Sequence, residues 1–200
     1  MIDKAVDAIQ RGKTVILPTD TVYGLAASAF HSDAVLTIYR LKQRPVTQPT
    51  AFLTTDVDML FELVPEIRGR AGVIARALLP GPYTLVLPNP ARRFSWLTGA
   101  RYDTIGVRVP QLKHPTSEVL QRVSGLAATS ANRTGEPDPA RLDEVPEEFR
   151  EAAAAVLNTQ ELPGVPSTVV DFSGREPRVL REGAASGADA IRRAAEALAS

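Results

Sequence analysis

The chain has 200 residues, 44% of them hydrophobic, with 23 basic and 23 acidic side chains and no cysteine. That composition can bury a core, makes one domain the default, and excludes disulfides and thiolate metal sites. Zero formal net charge argues against a protein whose main work is gripping nucleic acid non-specifically.

Residues 2–11 place Ile2, Val6 and Ile9 at helical spacing, with Gly12 as the stop. No basic n-region precedes an apolar h-region there, and no apolar run reaches membrane-spanning length; the expected location is the cytoplasm, with no membrane partner. Gly12-Lys13-Thr14 ends like a Walker A loop, but Asp7 stands where its first glycine belongs. The triplet also lies between helix and strand, the wrong order. Val15-Ile16-Leu17 reads as a buried strand that stops at Pro18, which cannot donate to a ladder. Residues 18–25 follow, Pro-Thr-Asp-Thr-Val-Tyr-Gly-Leu. A polar loop leaving a strand end suits chemistry, and the same residues also suit an ordinary turn in which Thr and Asp bond their own backbone.

Ser32 or Asp33 caps a helix running to about Leu41. Lys42 and Arg44 then either favour the helix macrodipole or open a shaped loop, since Pro45 and Pro49 hold the next segment extended. Ala51-Phe52-Leu53 is the second predicted strand. Asp56 caps a short helix, residues 66–79 form a longer one, and Pro80-Gly81-Pro82 breaks it. Tyr83-Thr84-Leu85-Val86-Leu87 is a third strand. Residues 88–103 are irregular, contain Trp96 and read as a flap. Residues 105–109 alternate as a strand with Arg108 opposite Val107 and Val109. Pro115 opens a helix that ends near Gly125. Leu126-Ala127-Ala128 is a strand that ends in a second polar loop, Thr129-Ser130-Ala131-Asn132. A helix over 147–155, strands at Val156-Leu157 and within 166–171, the stretch Val179-Leu180-Arg181-Glu182-Gly183, and a last helix capped by Ser186 complete the chain. The pattern reads as one α/β domain over residues 1–200 with a mixed sheet.

Several chemistries are excluded. His31 and His114 are the only histidines, stand at no metal-ligand spacing, and read as plain surface or cap residues. No nucleophile elbow and no dinucleotide fingerprint occur, which removes a covalent Ser–His mechanism. The sequon Asn132-Arg133-Thr134 carries no meaning without secretion. What remains is a set of cations and hydroxyls at strand ends: Lys42, Arg44, Arg108, Thr129, Ser130, Asn132, Ser167 and Arg181. Arginine forks and a lysine charge suit phosphate and carboxylate. Singly, Arg108 could be a salt-bridge partner, and Arg181-Glu182 a surface pair.

Together these stretches resemble the threonylcarbamoyl-AMP synthases, the YrdC-like enzymes of tRNA modification. The resemblance rests on residues 18–25, Lys42-x-Arg44-Pro45, Pro80-Gly81-Pro82-Tyr83-Thr84, Gly106-Val107-Arg108-Val109-Pro110, Thr129-Ser130-Ala131-Asn132, Pro166-Ser167-Thr168-Val169-Val170-Asp171 and Leu180-Arg181-Glu182-Gly183, in the family's order. It implies a twisted mixed sheet flanked by helices, with a concave basic cleft. It implies synthesis of threonylcarbamoyl-adenylate and pyrophosphate from L-threonine, bicarbonate and ATP, with Mg²⁺ on the phosphates. A partner complex then moves the threonylcarbamoyl group to the adenosine beside the tRNA anticodon. Lys42, Arg44, Ser130 and Asn132 are the implied catalytic tetrad. Arg108 is the implied bidentate clamp for the threonine carboxylate. Thr21, Thr129 and Ser167 hold the rest of threonine, and Arg181 joins the tetrad on the nucleotide. The role of Asp20 stays open, an orienter of its neighbours being one reading.

The family usually has glycine where Gln43 stands; Gln43 is tolerable there, in an exposed loop, if its φ is negative. It usually has Asn-Pro-Leu where Gln48-Pro49-Thr50 stands, so Thr50 puts a hydroxyl where leucine packs. Longer members add a C-terminal domain, and this chain resembles the short form. Two other readings compete: a carbamoyl-adenylating domain of the hydrogenase-maturation type, which sits in longer, cysteine-bearing chains, and a non-catalytic module with weak RNA binding.

Overall fold

In the computed structural model, residues 1–113 and 115–200 are described; His114 lies outside them. The elements are α1 (Ile2–Gln10), β1 (Val15–Pro18), β2 (Tyr23–Ser28), α2 (Ser32–Leu41), β3 (Ala51–Thr54), α3 (Val57–Leu63), α4 (Gly69–Leu78), β4 (Tyr83–Pro88), β5 (Thr104–Arg108), α5 (Thr116–Val123), β6 (Gly125–Ser130), α6 (Glu147–Ala152), β7 (Ala155–Val156), β8 (Thr168–Asp171), β9 (Arg178–Arg181) and α7 (Gly187–Ala199). The strands form one mixed sheet in the order β7-β1-β2-β6-β3-β5-β4-β8-β9. β3–β5, β4–β8 and β1–β7 pair parallel, and the other neighbours pair antiparallel.

Strand alternation sorts the side chains onto two faces. Phe52, Leu85, Val107 and Val170 point to a core closed by α2, α3, α4 and α7. Val15, Leu17, Ala26, Leu53 and Leu126 point to a second core closed by α1 and α5. No helix among the described residues is long and apolar enough to cross a membrane.

Local structure departs from expectation at particular residues. Tyr23–Ser28 is a strand, because the loop after Pro18 is a tight hairpin: Thr19 N donates to Val22 O at 3.2 Å and the Thr19 hydroxyl to the same oxygen at 2.7 Å. β6 runs on to Ser130, two residues beyond the expected end, because Thr129 and Ser130 still pair with Leu25 and Gly24. The α2 N-cap is His31, with no side-chain cap bond, instead of Ser32 or Asp33. Asp56 and Ser186 do cap their helices, accepting from Met59 N at 2.8 Å and Asp189 N at 3.2 Å. Pro115 is the residue before α5. Gln43 has φ 48°, so the negative φ that would make the side chain easily tolerated is not met. The chain must reverse immediately after the α2 C-cap, and a left-handed residue does that.

Residues 88–103 are anchored to their surroundings. Leu97 and Asn89 are buried, and Trp96 Nε1 donates to Ala29 O at 2.9 Å. Phe94 stacks on Phe52 with centroids 4.6 Å apart. A Cβ on Gly99 would come within 2.4 Å of Thr47 O, so this segment and the loop after Arg44 meet backbone to backbone.

Candidate active site

α1 and α5 cover only the β7-to-β3 half of their face. Beyond them, at the uncovered ends of β2, β6 and β3 and over β5 and β4, the alternation places small or polar residues where the opposite face has Leu, Val, Ile and Phe. Gly24, Ala51, Gly106 and Ala128 leave room, and Thr84, Thr104 and Arg108 line it. The result is a cavity of about 420 Å³. Arg44, Arg101, Arg108 and Arg181 reach it, together with Thr129, Ser130 and Ser167, and no carboxylate is among its lining residues.

Arg108 ends β5 and is 8% exposed. Burial pushes its pKa below the ordinary arginine value, while the facing Asp20 carboxylate opposes that shift. Arg108 Nη2 donates to Asp20 Oδ1 in an ion pair and to Thr21 Oγ1 at 2.7 Å. Asp20 Oδ2 in turn accepts from Gln111 N at 3.1 Å. Both protons of Nη2 are therefore committed. Nε is buried without a hydrogen-bond partner, which leaves Nη1 as the end available to a ligand. A bidentate grip on an incoming carboxylate would require Asp20 or Thr21 to release Nη2. Asp20 is the orienting residue, and Thr21 stands behind Arg108 rather than in the cavity wall.

Arg44 repeats the arrangement. Its Nη2 donates to Pro49 O at 2.7 Å and Thr50 Oγ1 at 2.6 Å, Nη1 donates to Thr129 Oγ1 at 3.3 Å, and Nε is buried and unpartnered. Thr50 is thus satisfied as a hydroxyl where an apolar side chain was expected.

Lys42, 6% exposed, donates to Ser130 O at 2.6 Å, Asn132 O at 2.5 Å and Asn132 Oδ1 at 3.1 Å. Asn132 Oδ1 also accepts from Ser130 Oγ at 2.6 Å. Burial pushes the Lys42 ammonium down to about 8, and the charge of Arg44 adds to the effect. Lys42 and Asn132 lie behind Ser130 and do not line the cavity. They fix the bend that follows β6.

On the opposite wall, Ser167 Oγ and Thr84 Oγ1 are 2.8 Å apart, and Arg181 Nη2 donates to Ser167 O at 2.8 Å. Gly183 makes this possible, since a Cβ there would lie 2.2 Å from Pro166 O. Arg101 is held at the rim by Asp171 Oδ2 at 2.7 Å and Ser173 Oγ at 2.8 Å.

The structure therefore brings Arg44, Arg108, Thr129, Ser130, Ser167 and Arg181 to one cavity, with Lys42, Asn132 and Thr21 one layer behind. Thr84, Arg101 and Thr104 were not singled out from sequence. For Thr84 and Thr104 a signal existed: each alternates with core residues on its strand, as Arg108 does. Arg101 had none, because it lies in irregular chain.

The model of the Sua5–YciO–YrdC family, described as telomere recombination, matches residues 7–183. A threonylcarbamoyl-AMP synthase of Pyrococcus abyssi is 36% identical over 180 residues, 90% of this chain and 53% of that protein. A putative threonylcarbamoyl-AMP synthase of Mycobacterium tuberculosis is 35% identical over 92% of this chain and 85% of its own length. The crystal structure of P. abyssi Sua5 complexed with L-threonine superposes with a TM-score of 0.84 at 34% identity, covering 96% of this chain and 56% of that one. The chain thus spans about half the length of the archaeal relative. The family model and the shared fold agree, and the chain belongs to the Sua5–YciO–YrdC family.

Proposed function

We propose that this chain makes threonylcarbamoyl-adenylate and pyrophosphate from L-threonine, bicarbonate and ATP. One observation carries the reading: guanidinium and hydroxyl groups from segments far apart in sequence converge on one cavity whose described lining holds no carboxylate. A space so lined suits the meeting of two anions. The relatives' activity and the threonine in the archaeal structure support it.

The chemistry follows from the charges. The threonine amine attacks the carbon of bicarbonate, and water leaves, giving a carbamate. A carbamate oxygen then attacks the α-phosphorus of ATP. The bond from that phosphorus to the bridging oxygen breaks, and pyrophosphate leaves with its electron pair. Both reactants are negative, so catalysis consists of positioning and charge neutralisation. In this scheme Arg108 Nη1 takes the threonine carboxylate, with Thr129 and Ser167 offering hydroxyls to the rest of the amino acid. Arg44, Ser130 and Arg181 face the phosphates and carbamate. Lys42 acts as a fixed charge beneath Ser130 and Asn132, and Thr21 helps hold Arg108. In this scheme Mg²⁺ arrives on the phosphate oxygens of ATP as part of the substrate. The product is an activated acyl group for a transferase complex acting on tRNA.

Pyrophosphate release is the test. It is expected only when threonine, bicarbonate and Mg-ATP are all present. Release independent of threonine, or none with all three, overturns the reading.

A further inference from the structure

Thr50 opens the chain into β3, is 2% exposed and lines the cavity. Its hydroxyl accepts from Arg44 Nη2 at 2.6 Å and donates to Tyr39 Oη at 3.1 Å. Tyr39 Oη passes its own proton to Gln48 O at 2.8 Å. Each hydroxyl in this relay gives one hydrogen bond and takes one. The Tyr39 ring lies under the Arg44 guanidinium, 5.0 Å from its carbon. Nη2 has two protons and two close acceptors, Thr50 Oγ1 and Pro49 O; Gln48 O, at 3.4 Å, is a poor third. Remove the Thr50 hydroxyl and one proton of a half-buried cation loses its partner, while Tyr39 Oη loses the donor that fixes it.

From this relay we infer that Thr50 is a positioning residue for the proposed reaction: it locks the plane of the Arg44 guanidinium so that Nη1 faces Thr129 and the cavity. The inference rests on the adenylate-synthase reading for its catalytic consequence, and on geometry alone for the lock itself. The lock favours a trigonal or tetrahedral anion at one fixed place, because an arginine whose plane cannot swing offers its remaining donors in one direction. Tyr39 supports it from beneath.

Two measurements test it. The first is NMR of the arginine Nη protons, which reports rotation about the Cζ–Nη bonds without any substrate. Wild-type Arg44 should give resolved, slowly exchanging Nη signals, Thr50→Val should merge them, and Thr50→Ser should restore them. The second is kinetic. Valine keeps the shape of threonine, so T50V should still fold, with an unfolding midpoint lowered by the partners left unpaired, and should lose about tenfold in kcat/KM for pyrophosphate release, carried mostly in kcat. T50S should recover most of that loss, and Tyr39→Phe should show a smaller loss in the same direction. Unchanged Arg44 signals in T50V, or equal impairment of T50V and T50S, overturns the inference. If wild-type protein releases no pyrophosphate, the functional reading fails, and the NMR comparison still decides the lock.

Discussion

Arg108 sits with its charge almost out of water, facing Asp20 and Thr21 on one nitrogen. Taking Asp20 away leaves a buried charge unpaired. Asp20→Ala should therefore lower unfolding free energy by about 3–5 kcal/mol in a urea titration. Arg108→Ala should weaken L-threonine binding by about 2–5 kcal/mol while leaving ATP binding far less changed, as read by calorimetry; equal losses would mean that Arg108 serves both ligands. Lys42 gives a pH signature. Its folded pKa is about 8, below the ordinary lysine value of 10.5. Below pH 8 both folded and unfolded chains hold the proton, and the fold bears the full cost of burying it. Between 8 and 10.5 the folded chain releases the proton first, so the stability linked to Lys42 rises with pH across that window. Activity should run the other way. The ammonium spends three protons on Ser130 and Asn132, and an amine has only two, so pyrophosphate release should fall as pH passes through about 8. A rate that stays flat through that range contradicts the role. Gln43, at φ 48°, bears a strain that glycine would not. Gln43→Gly should raise stability by up to about 1 kcal/mol in the same titration.

At the scale of elements, the segment between β4 and β5 is tied down by aromatic packing. Phe94 has φ 50°, an unfavourable place for a bulky residue, and is held there by Phe52, Phe30 and Trp96. Phe94→Ala should cost about 2 kcal/mol, less than a fully buried phenylalanine, and should speed amide exchange across residues 88–103. Unchanged exchange there would show that other contacts hold the segment. Strand alternation is the element-level signal that sequence carries best. In β5 the residues Thr104, Gly106 and Arg108 face the cavity and Ile105 and Val107 the core, and the placing of Arg108 opposite Val107 is what the alternation of 105–109 predicted. β2 was illegible for the converse reason. Its residues, Tyr-Gly-Leu-Ala-Ala-Ser, are buried on both faces and have neither alternation nor β-branched side chains. Small residues there serve the cavity and the close packing of neighbouring strands, and a period count does not see that. The sign of φ at Gln43 was likewise hidden, since only the tight reversal after α2 demands it.

For the whole molecule, the working surface is a half-covered sheet face. α1 and α5 close one end of that face, and the other end is left concave by Gly24, Ala51, Gly106 and Ala128. Residues distant in sequence, Arg44 and Arg181 among them, become neighbours only through the strand order β6-β3-β5-β4-β8-β9. Sequence reading found most of these residues by their motifs and by the chemistry of cations and hydroxyls at strand ends. It did not find that Nη2 of Arg44 and of Arg108 is already spent on the protein, because such bookkeeping needs distances. The central claim is that this cavity brings a threonine carbamate to the α-phosphorus of ATP. The most direct measurement is ¹³C NMR of a reaction with ¹³C-bicarbonate, L-threonine and Mg-ATP. The account predicts a carbamoyl carbon coupled to phosphorus that vanishes when threonine is omitted. ATP turnover with no label between threonine and phosphate would contradict it.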